Sequence, residues 1–213
     1  MASAAAELLA LGDVGLQLTP GCVPTRGFDE QLTNASIAVR THHGYSPVAP
    51  RAQVWDGMTL LGDWQSVHPP KETEPAEKRA FREMALGCPA VLETMYPGYH
   101  LGTGDDLEWA MDSALPLAVD VSHIFIQLSA GVMSTKTWAR LQEYDRIEEV
   151  HVSSNDGRRD LHHRVDASTW GLDWSVAQSA AGVPLVLESY LHRQSVDDRR
   201  RSVDLLCMAM ANA

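Results

Sequence analysis

EEVHVSSNDGRRDLHH, residues 148–163, joins a short apolar strand to a loop of metal-ligand side chains. Ile147 to Val152 has the length and β-branched character of a buried strand, with His151 near its C-terminal end. Asn155-Asp156-Gly157 supplies the turn that follows. The loop then delivers Asp160, His162 and His163 within four positions. Imidazole and carboxylate are the usual ligands of zinc, manganese and iron ions. A solvated polar loop is the alternative. What weighs against it is that other strand ends in the chain carry the same residue types.

On either side of this stretch, short apolar strands alternate with helices. Strands are expected at 14–18, 36–41, 64–67, 90–92, 117–119, 147–152 and 184–187. Helices are expected at the Ala/Leu-rich N-terminus and at 25–33, 73–86, 105–113, 134–144, 168–181 and 195–210. For the 73–86 helix, Thr73 is the expected N-cap, Pro75 falls in the first turn and Gly87 ends it. Such βα alternation predicts a parallel sheet. The expected fold is an α/β protein with a shortened (β/α) TIM-type barrel, in a single domain spanning 1–213. A doubly wound open sheet is the runner-up, but its GxGxxG loop after an early strand is absent.

Ligand-type residues fall at the C-terminal ends of six of these strands: His42 or His43, His68, Glu93, Asp120 with His123, His151, and Glu188. In a (β/α) barrel those ends converge on one face, where active sites form. Each residue also has a bland reading. His68 precedes two prolines and could serve a turn, and Glu188 could face water. Coincidence at six successive ends favours a shared metal site.

Composition limits the function classes. The chain has 213 residues, 45% hydrophobic and 21% charged, which is ordinary for a globular domain. No apolar run reaches the roughly 20 residues of a membrane span, and the N-terminus lacks the basic segment of a signal peptide. Three scattered cysteines, Cys22, Cys88 and Cys207, argue for a reducing, cytoplasmic setting and against both a disulfide framework and a thiolate metal site. Net charge is −11, the wrong sign for a duplex-binding surface. Arg199-Arg200-Arg201 follows Asp197-Asp198 in a helical pattern and reads as a solvated face. Duplex DNA is therefore not an expected partner. A small polar or phosphorylated substrate is, because bound ions can dominate the local field.

The motifs THH (41–43), HPP (68–70), VLET (91–94), VDVSH (119–123), HVSSNDGRRDLH (151–162) and VLES (186–189) resemble those of AP endonuclease family 2 and the xylose isomerase-like barrels, over about residues 14–210. This superfamily includes sugar-phosphate isomerases and epimerases. The D-x-x-H step and the H…D-x-H loop are the most specific parts. The resemblance implies that Glu93, Asp120, His151 and Glu188 form a core metal site. Its endonuclease IV-like members add ligands matching His42 or His43 with His68, and His123, Asp160 and His162, for up to three ions. Zinc is the expected metal, with manganese or iron as alternatives. Two departures stand out. The first family strand has no counterpart, and the acidic chain has little room for DNA-embracing loops.

Two chemistries remain open. In the hydrolytic one, several zinc-type ions share Glu93 and act on a small phosphoester by Lewis-acid activation of water. Arg158 and Arg159 could then clamp the phosphate, or simply face solvent. In the isomerase one, a single ion on Glu93, Asp120, His151 and Glu188 polarises a sugar-like substrate. Glu93 and Glu188 then move a proton at carbon, and His123 binds a hydroxyl. His68 and the Asp160-x-His162 pair favour the first, because an isomerase does not need them as ligands. A degenerate barrel serving only to bind would have no reason to keep the full set. Seven strands also fall short of the usual eight. The barrel must stay open, close with seven, or be covered by a partner, and a homodimer is the expected solution.

Overall fold

The computed structural model describes residues 16–18, 39–43, 54–72, 74–190 and 193–211. The strands are β1 (Leu16–Leu18), β2 (Val39–His43), β3 (Trp55–Asp56), β4 (Thr59–Leu60), β5 (Ser66–Val67), β6 (Val91–Glu93), β7 (Leu117–Asp120), β8 (Ile147–Val152) and β9 (Leu185–Leu187). The helices are α1 (Pro75–Ala85), α2 (Gly104–Asp112), α3 (Val121–Ser129), α4 (Thr135–Gln142), α5 (Leu172–Ala180) and α6 (Val196–Ala211). Seven strands pair in parallel in the order β1-β2-β5-β6-β7-β8-β9. The small β3–β4 pair is antiparallel and separate.

Strand order follows chain order without reversal. A doubly wound sheet reverses at a switch point, so the runner-up topology is excluded. The result is a curled, open half-barrel, a shortened (β/α) barrel in which β1 and β9 do not pair among the described residues. All seven expected strands of the parallel sheet are found. The β3–β4 hairpin was not expected. The N-terminal helix, the 25–33 helix, Thr73 and Cys22 lie outside the described residues. At the start of α1 the N-cap is Glu74, not Thr73; its backbone N–H donates to Glu77 Oε2 at 3.3 Å.

The strands read as apolar runs because both faces of a parallel sheet are covered. Every residue of β7 is buried, and β8 exposes only Glu148. Leu92, Leu117, Val119 and Val150 from the sheet join Leu107, Ile124, Leu141 and Leu206 from the helices in one core. Burial of each such side chain contributes about 1.5–3 kcal/mol. Among the described residues, no helix is long and apolar enough to cross a membrane.

Helix α3 was not expected from sequence. Its residues, VSHIFIQLS, are buried at six of nine positions, so the polar face that marks an amphipathic helix is missing. It follows β7 with no loop at all: Asp120 ends the strand and is the N-cap of the helix. Two glycines hold the surrounding chain close. Gly171, with φ +77°, has no room for a Cβ, which would sit 2.8 Å from Val121 Cβ. A Cβ on Gly102 would lie 2.6 Å from the carbonyl oxygen of Tyr99 and closer still to that of Tyr96. Backbone cannot swing aside as a side chain can. Gly102→Ala is therefore expected to cost at least about 1–3 kcal/mol. Gly87→Ala is the control, since its Cβ meets only Met84 O at 3.8 Å. Urea midpoints of the two variants compare them directly, and equal midpoints would remove the packing argument.

Candidate metal centre

Six strand ends deliver side chains to one face of the sheet. Successive residues of a strand point to opposite sides, and β2 shows the consequence. His42 turns inward, with Nε2 3.3 Å from Glu93 Oε2. His43 turns the other way and packs edge-on against Trp64, ring centroids 5.1 Å apart. Of the two adjacent candidates, His42 joins the cluster and His43 does not. His42→Ala should cost the protein bound metal, whereas His43→Ala should leave metal content unchanged and lower only stability. Elemental analysis of both variants checks this, and metal loss from His43→Ala alone would reverse the assignment.

Glu93 ends β6 and is the hub. Its carboxylate is completely buried, and neither oxygen has a hydrogen-bond partner. Oε2 faces His42 Nε2, His68 Nε2 at 3.2 Å and His151 Nδ1 at 3.3 Å. Oε1 faces His123 Nδ1 at 3.2 Å. His151 Nδ1 is also 3.1 Å from Glu188 Oε1. His123 Nε2 lies 3.4 Å from Asp120 Oδ2 and 3.5 Å from Asp160 Oδ2. Donor atoms of a tetrahedral zinc site with 2.0–2.1 Å bonds stand about 3.3–3.4 Å apart. The side chains here already keep that spacing.

Two groups of ligand atoms result: His42, Glu93, His151 and Glu188 in one, and Glu93, Asp120 and His123 in the other. Glu93 belongs to both. Asp120, expected beside His151 and Glu188, instead falls in the second group, and His42 takes its place in the first. The reason is the β7–α3 junction. One oxygen of Asp120 accepts the backbone N–H groups of Ser122 (2.6 Å) and His123 (3.3 Å), leaving Oδ2 bare and aimed at His123.

The 153–163 loop brings the remaining candidates. Ser154 and His163 exchange two backbone hydrogen bonds that close its base. Asn155 Oδ1 accepts the Gly157 N–H at 2.8 Å, and its amide donates to Ser122 O at 2.9 Å, tying the turn to α3. Asp160 then reaches His123, and His162 Nε2 lies 2.9 Å from Asp160 Oδ2. His162 has φ +47°, a left-handed conformation that costs a non-glycine residue energy and is found where the surroundings impose it. Here the Tyr190 N–H donates to its carbonyl at 3.0 Å. The side chain of His163 is exposed. Arg158 and Arg159 are exposed as well, and the Arg159 guanidinium turns to Asp156.

Electrostatics follow from burial and crowding. Burial pulls the His42 imidazole down to about 4 and pushes the Asp120 carboxyl up to about 6. Burial would also raise Glu93, but the His68 and His151 rings hold it well below its ordinary range. It opposes charge on His123 and His151 too, yet Asp120 beside the first and Glu188 beside the second hold their protons well above the usual value. At His162 the Asp160 hydrogen bond outweighs burial and raises the ring to about 9. Among the described residues no Lys or Arg pairs with Glu93, Asp120, Asp160 or Glu188. Four carboxylates gathered without a fixed cation, with bare donor atoms on His42, Glu93, Asp120, His123, His151 and Glu188, fit a divalent-metal site.

Three contributors went unnoticed in sequence. Tyr96 packs edge-on against His123, and Tyr190 lies tilted against His162, with centroids 4.9 and 4.8 Å apart, walling the site. Glu149, beneath His151 on β8, is a fully buried carboxylate. Its signal was available: it stands two residues before His151 and so shares its face of the strand.

No known protein family matches the sequence, and no curated protein does. Among solved structures, the chain is similar to the TTHB071 protein from Thermus thermophilus soaked with ZnCl2. Identity is 14% and the TM-score 0.45, over 94% of this chain and 99% of that one.

Proposed function

We propose that this chain is a metal-dependent hydrolase of the xylose isomerase-like superfamily, with a multinuclear zinc-type centre acting on a small phosphoester. The observation that carries the reading is the shared position of Glu93, whose two oxygens face different sets of ligands. Such a carboxylate is placed to bridge two ions. His42, His151 and Glu188 would complete one set, Asp120 and His123 the other, and Asp160 with His162 would extend the centre to a third ion. Bound there, divalent ions supply Lewis-acid polarisation of a phosphoryl oxygen and acidify water. The protein's part is to hold the donors in place, to wall the site with Tyr96 and Tyr190, and to keep it dry enough for charge to act strongly. The substrate class rests on ligand number, since one ion suffices for a sugar isomerase and several suit phosphoester hydrolysis.

The test is stoichiometric. Purified protein should carry more than one equivalent of zinc, manganese or iron and release p-nitrophenol from a small p-nitrophenyl phosphoester. His162→Ala should remove about one equivalent and leave the Glu93 groups loaded. A wild-type stoichiometry of one, unmoved by His162→Ala, would instead promote the isomerase reading, with Glu93 and Glu188 as its acid and base.

A further inference from the structure

Directly beneath the candidate ligands lies a second buried array centred on Glu149. This carboxylate is fully buried and belongs to neither ligand group. Its Oε1 accepts from Ser66 Oγ at 2.7 Å, from Gln17 Nε2 at 3.1 Å and from His151 Nε2 at 2.5 Å. Arg40 Nε donates to the other oxygen. Ser66 Oγ is in turn 3.0 Å from His42 Nδ1. The array therefore links β1, β2, β5 and β8, four strands of the sheet, through one side chain.

We infer that Glu149 is a positioning residue that fixes which ring nitrogen of His42 and of His151 is left bare for metal. An ionised carboxylate only accepts, so it keeps a proton on His151 Nε2, and Nδ1 is the nitrogen whose lone pair a metal can take. That is the atom facing Glu93 and Glu188. Glu149 also takes the single hydroxyl proton of Ser66. Having given it, Ser66 Oγ can only accept, so His42 Nδ1 must carry a proton and Nε2 must be bare. Nε2 is the atom facing Glu93. One carboxylate thus sets two imidazoles on different strands, one directly and one through a hydroxyl, with both bare nitrogens aimed at the same oxygen of Glu93. Arg40 and Gln17 keep Glu149 in its acceptor-only form.

The inference rests on the first metal group being real, and its test separates the two. ¹⁵N NMR of the imidazoles in metal-free wild type should show His42 as the Nδ1–H tautomer. Ser66→Ala removes only the hydroxyl relay, leaves Glu149 and His151 in contact, and should fold. It is expected to release His42 to a mixture of tautomers and weaken zinc binding about 10- to 100-fold in competition with a chromophoric chelator, the range seen when a ligand's outer hydrogen bond is lost. Glu149→Gln should disturb both rings and change the visible spectrum of the cobalt(II)-loaded protein; if it fails to fold, Ser66→Ala decides alone. A His42 tautomer and zinc affinity unchanged in Ser66→Ala would overturn the positioning role. Failure of the wild type to bind zinc would instead sink the proposed function, while the tautomer measurement would still decide the role of Glu149.

Discussion

Glu93→Ala is expected to empty both metal groups at once, with an affinity loss well beyond roughly 100-fold and a metal content falling by more than one equivalent. Loss of an outer hydrogen-bond partner costs about 10- to 100-fold, and Glu93 is not an outer partner. It is the one residue common to both ligand groups, and its oxygens face four different imidazoles. Removing it also leaves His42, His68, His123 and His151 with no carboxylate between them, so cations bound nearby would repel with less screening. Glu93→Gln sharpens the comparison. It keeps the volume but replaces an anionic ligand shared by both groups with a neutral amide, and it should fail nearly as badly. Glu188→Ala removes a ligand from one group only and should leave the Asp120–His123 group partly able to bind. Inductively coupled plasma analysis of the three variants, purified in parallel, gives the ranking. A Glu93→Ala protein with wild-type metal content would show that the cluster is a hydrogen-bonded polar core and not a metal centre.

Much of this arrangement was legible in the sequence because a parallel sheet leaves a simple trace. Its strands are covered on both faces and read as short apolar runs, and the change to a His, Glu or Asp at each C-terminal end marks where the functional face lies. Glu93, Asp120, His151 and Glu188 were placed in this way. What was not legible depends on pairings and local conformation that pattern does not encode. Choosing His42 over His43 needs the pleat phase of β2, and two adjacent histidines carry no phase. Grouping Asp120 with His123 instead of His151 follows from one of its oxygens being consumed as a helix cap, at a junction where α3 showed no amphipathic period. Arg158 and Arg159 stood close to the ligands in sequence, but Asp156 accepts both of their backbone N–H groups and holds that turn at the surface. Glu149 looked like one of a pair of strand glutamates, Glu148 and Glu149. Its place two residues before His151 puts it on the buried face, while the register that sets Ser66 and Arg40 beside it makes it the most heavily hydrogen-bonded carboxylate near the site.

Loading the centre should expel two to three protons near pH 7. In the metal-free protein the carboxylates hold protons on His123 and His151 well above the ordinary histidine range, and on His162 up to about 9. The sign follows from linkage. Their folded-state values are raised, so these protons stabilise the metal-free fold fully below the unfolded value near 6.5. That stabilisation is lost as pH rises through the folded values, which for His162 means near 9. A metal ion needs the lone pair and must displace the proton, so the same protons compete with metal across that whole interval. Apparent affinity should therefore rise steeply between about pH 6 and 8, close to tenfold per pH unit for each proton displaced. Asp120, raised to about 6 by burial, adds to the slope at the acid end. His42, already drawn down to about 4, adds nothing there because it is neutral before metal arrives. Titration calorimetry of the metal-free protein with zinc at pH 7, in two buffers of different ionisation enthalpy, counts the protons directly. His162→Ala should lower the count by about one. Release of no protons, with affinity flat from pH 6 to 8, would mean that the imidazoles facing Glu93 and Asp160 are not the groups that receive the metal.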